Sequence, residues 1–158
     1  QRAEQTLEWA KTHGDSPSIA IDNLSLGRSA MATGETEVAR KHLDAAVEGL
    51  KRAQRRDVIP LGLLARAGFR RQQREYPGAH RDLAEVLRIA RRGGPDNWMR
   101  LHLIDHDLEA ARLALDENQR DHARSLLDQA RAAIADTGYH RRDPEVAELE
   151  QALGVNAP

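Results

Sequence analysis

Gly34-Glu35-Thr36-Glu37-Val38-Ala39-Arg40-Lys41-His42-Leu43 occurs in three versions in this chain. The others are Arg74-Glu75-Tyr76-Pro77-Gly78-Ala79-His80-Arg81-Asp82-Leu83 and Asn118-Gln119-Arg120-Asp121-His122-Ala123-Arg124-Ser125-Leu126-Leu127. Ala39, Ala79 and Ala123 align, 40 and 44 residues apart. A turn residue precedes each alanine by five positions, a leucine follows by four, and Ala46, Val86 and Ala130 follow by seven. Twelve residues before Ala39 and Ala123 stand the small residues Gly27 and Ala111. In the middle unit the first helix is expected to be about two residues longer, so that Ala65-Arg66 matches Gly27-Arg28 and Ala111-Arg112. Each unit then reads as two antiparallel helices. Small residues let the pair approach closely and leucines fill the space between units. No unit can bury its apolar face alone, so neighbours must stack into a solenoid.

Helical punctuation runs outward from these segments. Pro17 opens a helix that Ser16 can cap and Gly34 closes, giving about residues 17–33. Further helices are expected over about 35–54, 58–74, 77–92, from 96 or 97 to 117, and 120–136. Gly93-Gly94-Pro95 breaks the chain, Asp96 or Asn97 can cap the next helix, and Thr137-Gly138 ends the sixth. Asp143-Pro144-Glu145 reads as a helix start with Asp143 as its cap. The resulting last helix, about 143–153, turns Val146 and Leu149 inward and Glu145, Glu148 and Glu150 outward, as a polar cap on the array. Residues 1–13 form a half repeat whose face at Ala3, Leu7 and Ala10 is left open to a neighbour. The expected fold is therefore all-α: about eight helices, with repeats at about 17–56, 58–92 and 96–136.

Composition agrees with helices and excludes several chemistries. Of 158 residues, 40% are hydrophobic but only 3% aromatic, and Val, Ile and Thr are scarce. Cysteine is absent, so disulfides, thiolate metal sites and a cysteine nucleophile are excluded. No apolar run is long enough to span a bilayer and no signal peptide is visible, which makes the cytoplasm the expected compartment. The first residue is Gln1 rather than Met, the mark of a fragment or processed chain. The net charge of −1 is unevenly spread: residues 51–92 carry twelve basic side chains against Asp57, Glu75, Asp82 and Glu85. That basic segment allows contact with a nucleic-acid backbone. The acids flanking it and the scarcity of aromatics for base stacking favour a solvated, ion-paired surface instead.

The repeat resembles the tetratricopeptide family at Leu26-Gly27, Gly34, Ala39, Leu43 and Ala46, although Arg74 stands where glycine is usual and the units exceed the typical 34 residues. Leu63-Leu64-Ala65-Arg66-Ala67, Ile89-Ala90-Arg91-Arg92-Gly93-Gly94, Met99-Arg100-Leu101-His102 and Gly138-Tyr139-His140-Arg141-Arg142-Asp143 are similar to C-terminal repeat segments of large bacterial signal-transduction NTPases of the NACHT or NB-ARC kind. The resemblance spans about residues 18–153, and no nucleotide-binding motif accompanies it. It implies partner binding or autoregulation rather than catalysis, with no cofactor. It also implies that the first helix of each pair lines a concave groove. The residue after each small position then faces that groove: Arg28, Arg66 and Arg112, with Arg70 one turn beyond Arg66 and Leu24 and Leu108 alongside. Spaced guanidinium groups between aliphatic walls suit a peptide with acidic side chains or a C-terminal carboxylate. The competing expectation is that these arginines only pair with acids inside the array.

Other candidate sites are few. His102 and His106 lie four apart on one expected helix and could share a metal ion, but no third ligand is evident. Trp98 is either a staple or an exposed anchor for a partner. No nucleophile elbow or phosphate-binding loop is present, so no enzyme activity is expected. A structural self-assembly unit, stacking through the open edge of residues 1–13, remains a third reading.

Overall fold

Ala39, Leu43, Ala46, Val47 and Leu50 recur on one side of a 17-residue helix, and all five are fully buried. That helix is one of seven α-helices among the described residues, which are 17–92, 94 and 99–154 of the computed structural model. They are α1 (Pro17–Thr33), α2 (Thr36–Arg52), α3 (Ile59–Gln72), α4 (Tyr76–Ala90), α5 (Arg100–Asp116), α6 (Arg120–Thr137) and α7 (Asp143–Leu153). A three-residue 3₁₀ turn, His140–Arg142, leads into α7. No strand occurs among the described residues. The fold is all-α, and no helix is long and apolar enough to cross a membrane among the described residues. The half repeat at 1–13, the cap at Ser16, the caps at Asp96 or Asn97, and Trp98 lie outside the described residues.

The closest packing is within the pairs α1/α2, α3/α4 and α5/α6, whose short connections make each pair antiparallel. One backbone device closes all three. Gly34, Arg74 and Asn118 are left-handed, at φ +77°, +60° and +60°. The next residue's N–H donates back to a carbonyl five residues earlier: Glu35 to Ala30 (2.9 Å), Glu75 to Arg70 (2.8 Å) and Gln119 to Ala114 (2.8 Å). Gly34 adopts this conformation freely, whereas Arg74 keeps it despite its side chain.

These turns set the repeat register. Seven residues before them stand Gly27, Ala67 and Ala111, all buried. A Cβ on Gly27 would lie 2.8 Å from the Leu43 side chain, so only glycine permits this approach of α1 to α2. The middle unit therefore follows the same twelve-residue spacing as the others. Its first helix is shorter, at 14 residues against 17 in α1 and α5, not longer. The match of Ala65-Arg66 to Gly27-Arg28 is corrected to Ala67-Gly68.

The core is a row of clusters along the chain. Phe69 of α3 enters the α1/α2 cluster of Leu24, Ala39 and Leu43; Val47, Leu50, Leu63 and Val86 join α2 to α3 and α4; Leu83 and Leu113 join α4 to α5; and Ile104, Leu127, Ile134, Val146 and Leu149 join α5, α6 and α7. Each full burial of such a side chain contributes about 1.5–3 kcal/mol. Between pairs, the first helices touch in sequence: α1 with α3, α3 with α5, and α5 with α7. The backbones of the second helices lie further apart: no Cα of α2 is within 8 Å of one in α4, although their side chains meet in the Val47–Val86 cluster and the Lys51–Glu85 pair.

Two details of the last helix differ from expectation. Asp143 is its first residue rather than its cap, and its carboxylate accepts from His140 Nδ1 at 3.1 Å. Glu145 and Glu150 are half-buried in ion pairs with Arg142 (2.7 Å) and Arg131 (3.2 Å), so only Glu148 is outward.

Candidate functional site

Counted from the left-handed turns, equivalent positions of the first helices converge on one groove. Leu64 of α3 and Leu108 of α5 occupy one repeat position, and Ala65 and Glu109 the next. Leu61 and Asp105 share a third, while Arg28 and Arg112 share a fourth. The short 3₁₀ turn adds Arg142, and the first turn of α7 adds Glu145. The cavity measures about 170 Å³.

Charge in the groove is almost fully matched. Arg142 donates to Asp105 and to Glu145, each at 2.7 Å. Burial works against the Arg142 charge, but the hydrogen bond and field of Asp105 outweigh it and raise its pKa. Glu109 accepts from Arg71 at 2.7 Å and more loosely from Arg112 at 3.4 Å, and Arg112 also reaches Glu148 at 3.5 Å. Arg28 has neither an ion pair nor a side-chain hydrogen bond among the described residues. Its pKa is lowered by the loss of surrounding water and by the positive Arg142, against a smaller opposing effect of Asp105. Among the described residues, Arg28 is therefore the groove arginine without an ion-pair partner.

The other expected groove residues lie elsewhere. Arg66 is buried: its Nε and Nη2 donate to the two Asp82 oxygens at 3.0 and 2.8 Å, and Nη1 donates to Asp44 at 3.0 Å. Burial opposes its charge, yet the Asp82 hydrogen bond and field leave its pKa raised. Arg70 donates to Asp82 at 2.8 Å and to the Gly78 carbonyl at 3.3 Å. Both belong to a lock between α3, α4 and α2, so the expectation that they face the groove is corrected. The position equivalent to Arg28 and Arg112 is Gly68, and the Glu109 carboxylate fills the space its side chain would take, 3.4 Å from an added Cβ. Leu24 is core, 4% exposed, whereas Leu108 presents an edge to the groove while 2% exposed. Sequence reasoning missed Arg142, Asp105 and Glu145. Asp105 is on α5, and only the 3₁₀ turn and the start of α7 bring Arg142 and Glu145 to it.

His102 and His106 do not converge. His102 Nε2 pairs with the Asp57 carbonyl at 3.0 Å, and the buried His106 pairs through Nδ1 with Asp107 at 2.8 Å. No group of three or more potential metal ligands occurs among the described residues. Across the basic segment, Lys51, Arg55, Arg66, Arg70, Arg71 and Arg88 are in ion pairs, while Arg56, Arg74, Arg81 and Arg92 have none among the described residues.

No protein-family profile, curated protein or solved structure matches the chain.

Proposed function

We propose that this chain is a tetratricopeptide-like α-solenoid that binds an acidic segment of a protein partner in the groove of its first helices. It would serve as an interaction or autoregulatory module of a larger bacterial regulatory protein in the cytoplasm. Three helix pairs, repeated turns and contacts restricted to neighbouring pairs support the solenoid. Closer backbone approach along the first-helix row than along the second supports a concave face on the first helices.

The observation that carries the binding reading is Arg28. Asp105, Glu109 and Glu145 are already occupied by arginines, so the groove repels a further cation and leaves one guanidinium for a carboxylate. Leu61, Leu64 and Ala65 supply the aliphatic wall for a neighbouring apolar side chain. A charge-assisted pair in such a partly enclosed groove contributes about 1.5–3 kcal/mol.

Selection from a displayed peptide library provides the test. The wild-type chain should enrich peptides bearing Asp, Glu or a free C-terminal carboxylate. Arg28→Glu, an exposed substitution, should lose that enrichment at unchanged helicity. Identical selections by both proteins, or no acidic enrichment by either, would remove the groove from consideration.

A further inference from the structure

A second cavity of about 580 Å³ opens on the other row of helices, where no Cα of α2 lies within 8 Å of one in α4. Its walls are the end of α2 (Lys51), the linker to α3 (Gln54, Arg56), the second half of α4 (Glu85, Arg88, Arg92) and Met99. Its floor is apolar: Ile59 and Ile89 are 7% and 8% exposed and belong to a core cluster against which Met99 packs. The cavity shares no lining residue with the groove of Arg28.

The charge of this cavity is one-sided. Among the described lining residues Glu85 is the one acid, and it already accepts from Lys51 at 2.9 Å and Arg88 at 3.4 Å. Arg56 and Arg92 are exposed and carry no ion pair or side-chain hydrogen bond among the described residues. An apolar floor beside two guanidinium groups without ion pairs offers both halves of a site for an anionic, partly apolar ligand. Its volume falls within the roughly 300–1,000 Å³ of small-molecule sites. Backbone-tracking nucleic acid would use the arginines but leave the apolar floor empty.

We infer that this cavity is a binding site for a small acidic amphiphile, a single phosphate, carboxylate or sulfonate group on an apolar body. The anionic group would pair with Arg56 and Arg92, and the body would lie on Ile59, Ile89 and Met99.

Isothermal titration with decyl phosphate below its micellar concentration tests this. The expected result is saturable one-to-one binding. Inorganic phosphate and decyltrimethylammonium, which each lack half of the required chemistry, should bind at least tenfold more weakly. The double substitution Arg56→Glu/Arg92→Glu should weaken decyl phosphate at least tenfold with helicity unchanged. Arg124→Glu, on the surface of α6, should leave the affinity unchanged. Absence of saturable binding, equal binding of either half-ligand, or equal affinity of the Arg56/Arg92 variant would overturn the inference. Tighter binding of a short DNA duplex through the same two arginines would also overturn it, in favour of a nucleic-acid surface.

Discussion

Arg74 shows how far a backbone pattern can override residue preference. It sits at φ +60° in the turn between α3 and α4, at the position Gly34 fills between α1 and α2, with the same hydrogen bond behind it. A non-glycine side chain costs roughly 1–2 kcal/mol there, and glycine's greater unfolded-state freedom returns part of that. Arg74 is exposed and has no side-chain hydrogen bond or ion pair among the described residues, so little else depends on it. Arg74→Gly should raise stability by about 0.5–1 kcal/mol in denaturant unfolding. Asn118→Gly should change it far less, because asparagine tolerates the left-handed region. Equal effects at the two positions would show that the turns differ energetically despite sharing geometry.

At the level of elements, the buried Arg66–Asp82 pair joins α3 to α4, and the Asp44 contact extends it to α2. Asp82→Ala should cost about 3 kcal/mol or more, because it leaves the Arg66 guanidinium buried with only the half-exposed Asp44. The apolar double variant Arg66→Met/Asp82→Leu should be less destabilised than the single variant in the same denaturant measurement. A single variant that loses under 1 kcal/mol would mean that Arg66 swings out to solvent. This lock also marks where sequence reading stopped. Pro17 and Gly34 bound α1 through backbone chemistry that acts locally, so its limits were legible to the residue. The pairing of α1 to α6 followed from the spacing of Ala39, Ala79 and Ala123 in the same way. Arg66 was misplaced because a two-residue shift in a helix turns a side chain by more than half a revolution. That register is set by the left-handed turn at Arg74, where the sequence shows no glycine to mark it. Arg28 and Arg112 both line the cavity of the first helices, while Arg142 belongs to a turn with no periodicity to read.

Among the described residues, helix packing passes only between neighbouring pairs, and α1 and α7 are not packed on each other. Stability in such an array is a sum of unit and interface contributions rather than one indivisible quantity. Leu149, 2% exposed, fastens α7 to α5 and α6. Leu149→Ala should cost about 2–4 kcal/mol locally. In native-state hydrogen exchange it should lower protection in α6 and α7 and leave α1 and α2 unchanged. A uniform fall along the chain would show that the helices unfold as a single unit instead.

The three left-handed turns have a last consequence for how such a chain can be spliced. On their edge of the array the same closure, with the same hydrogen bond, joins every pair. The link from α2 to α3 repeats it: Gln54 is left-handed at φ +53°, and the Arg55 N–H donates to the Leu50 carbonyl at 3.2 Å. The link from α4 to α5, residues 91–99, is the longest between the described helices. These closures act as rulers, and length gained or lost between units is best taken up at 91–99. A graft or inserted module belongs there, whereas one extra residue between Thr33 and Thr36 would break the closure that keeps a pair in step.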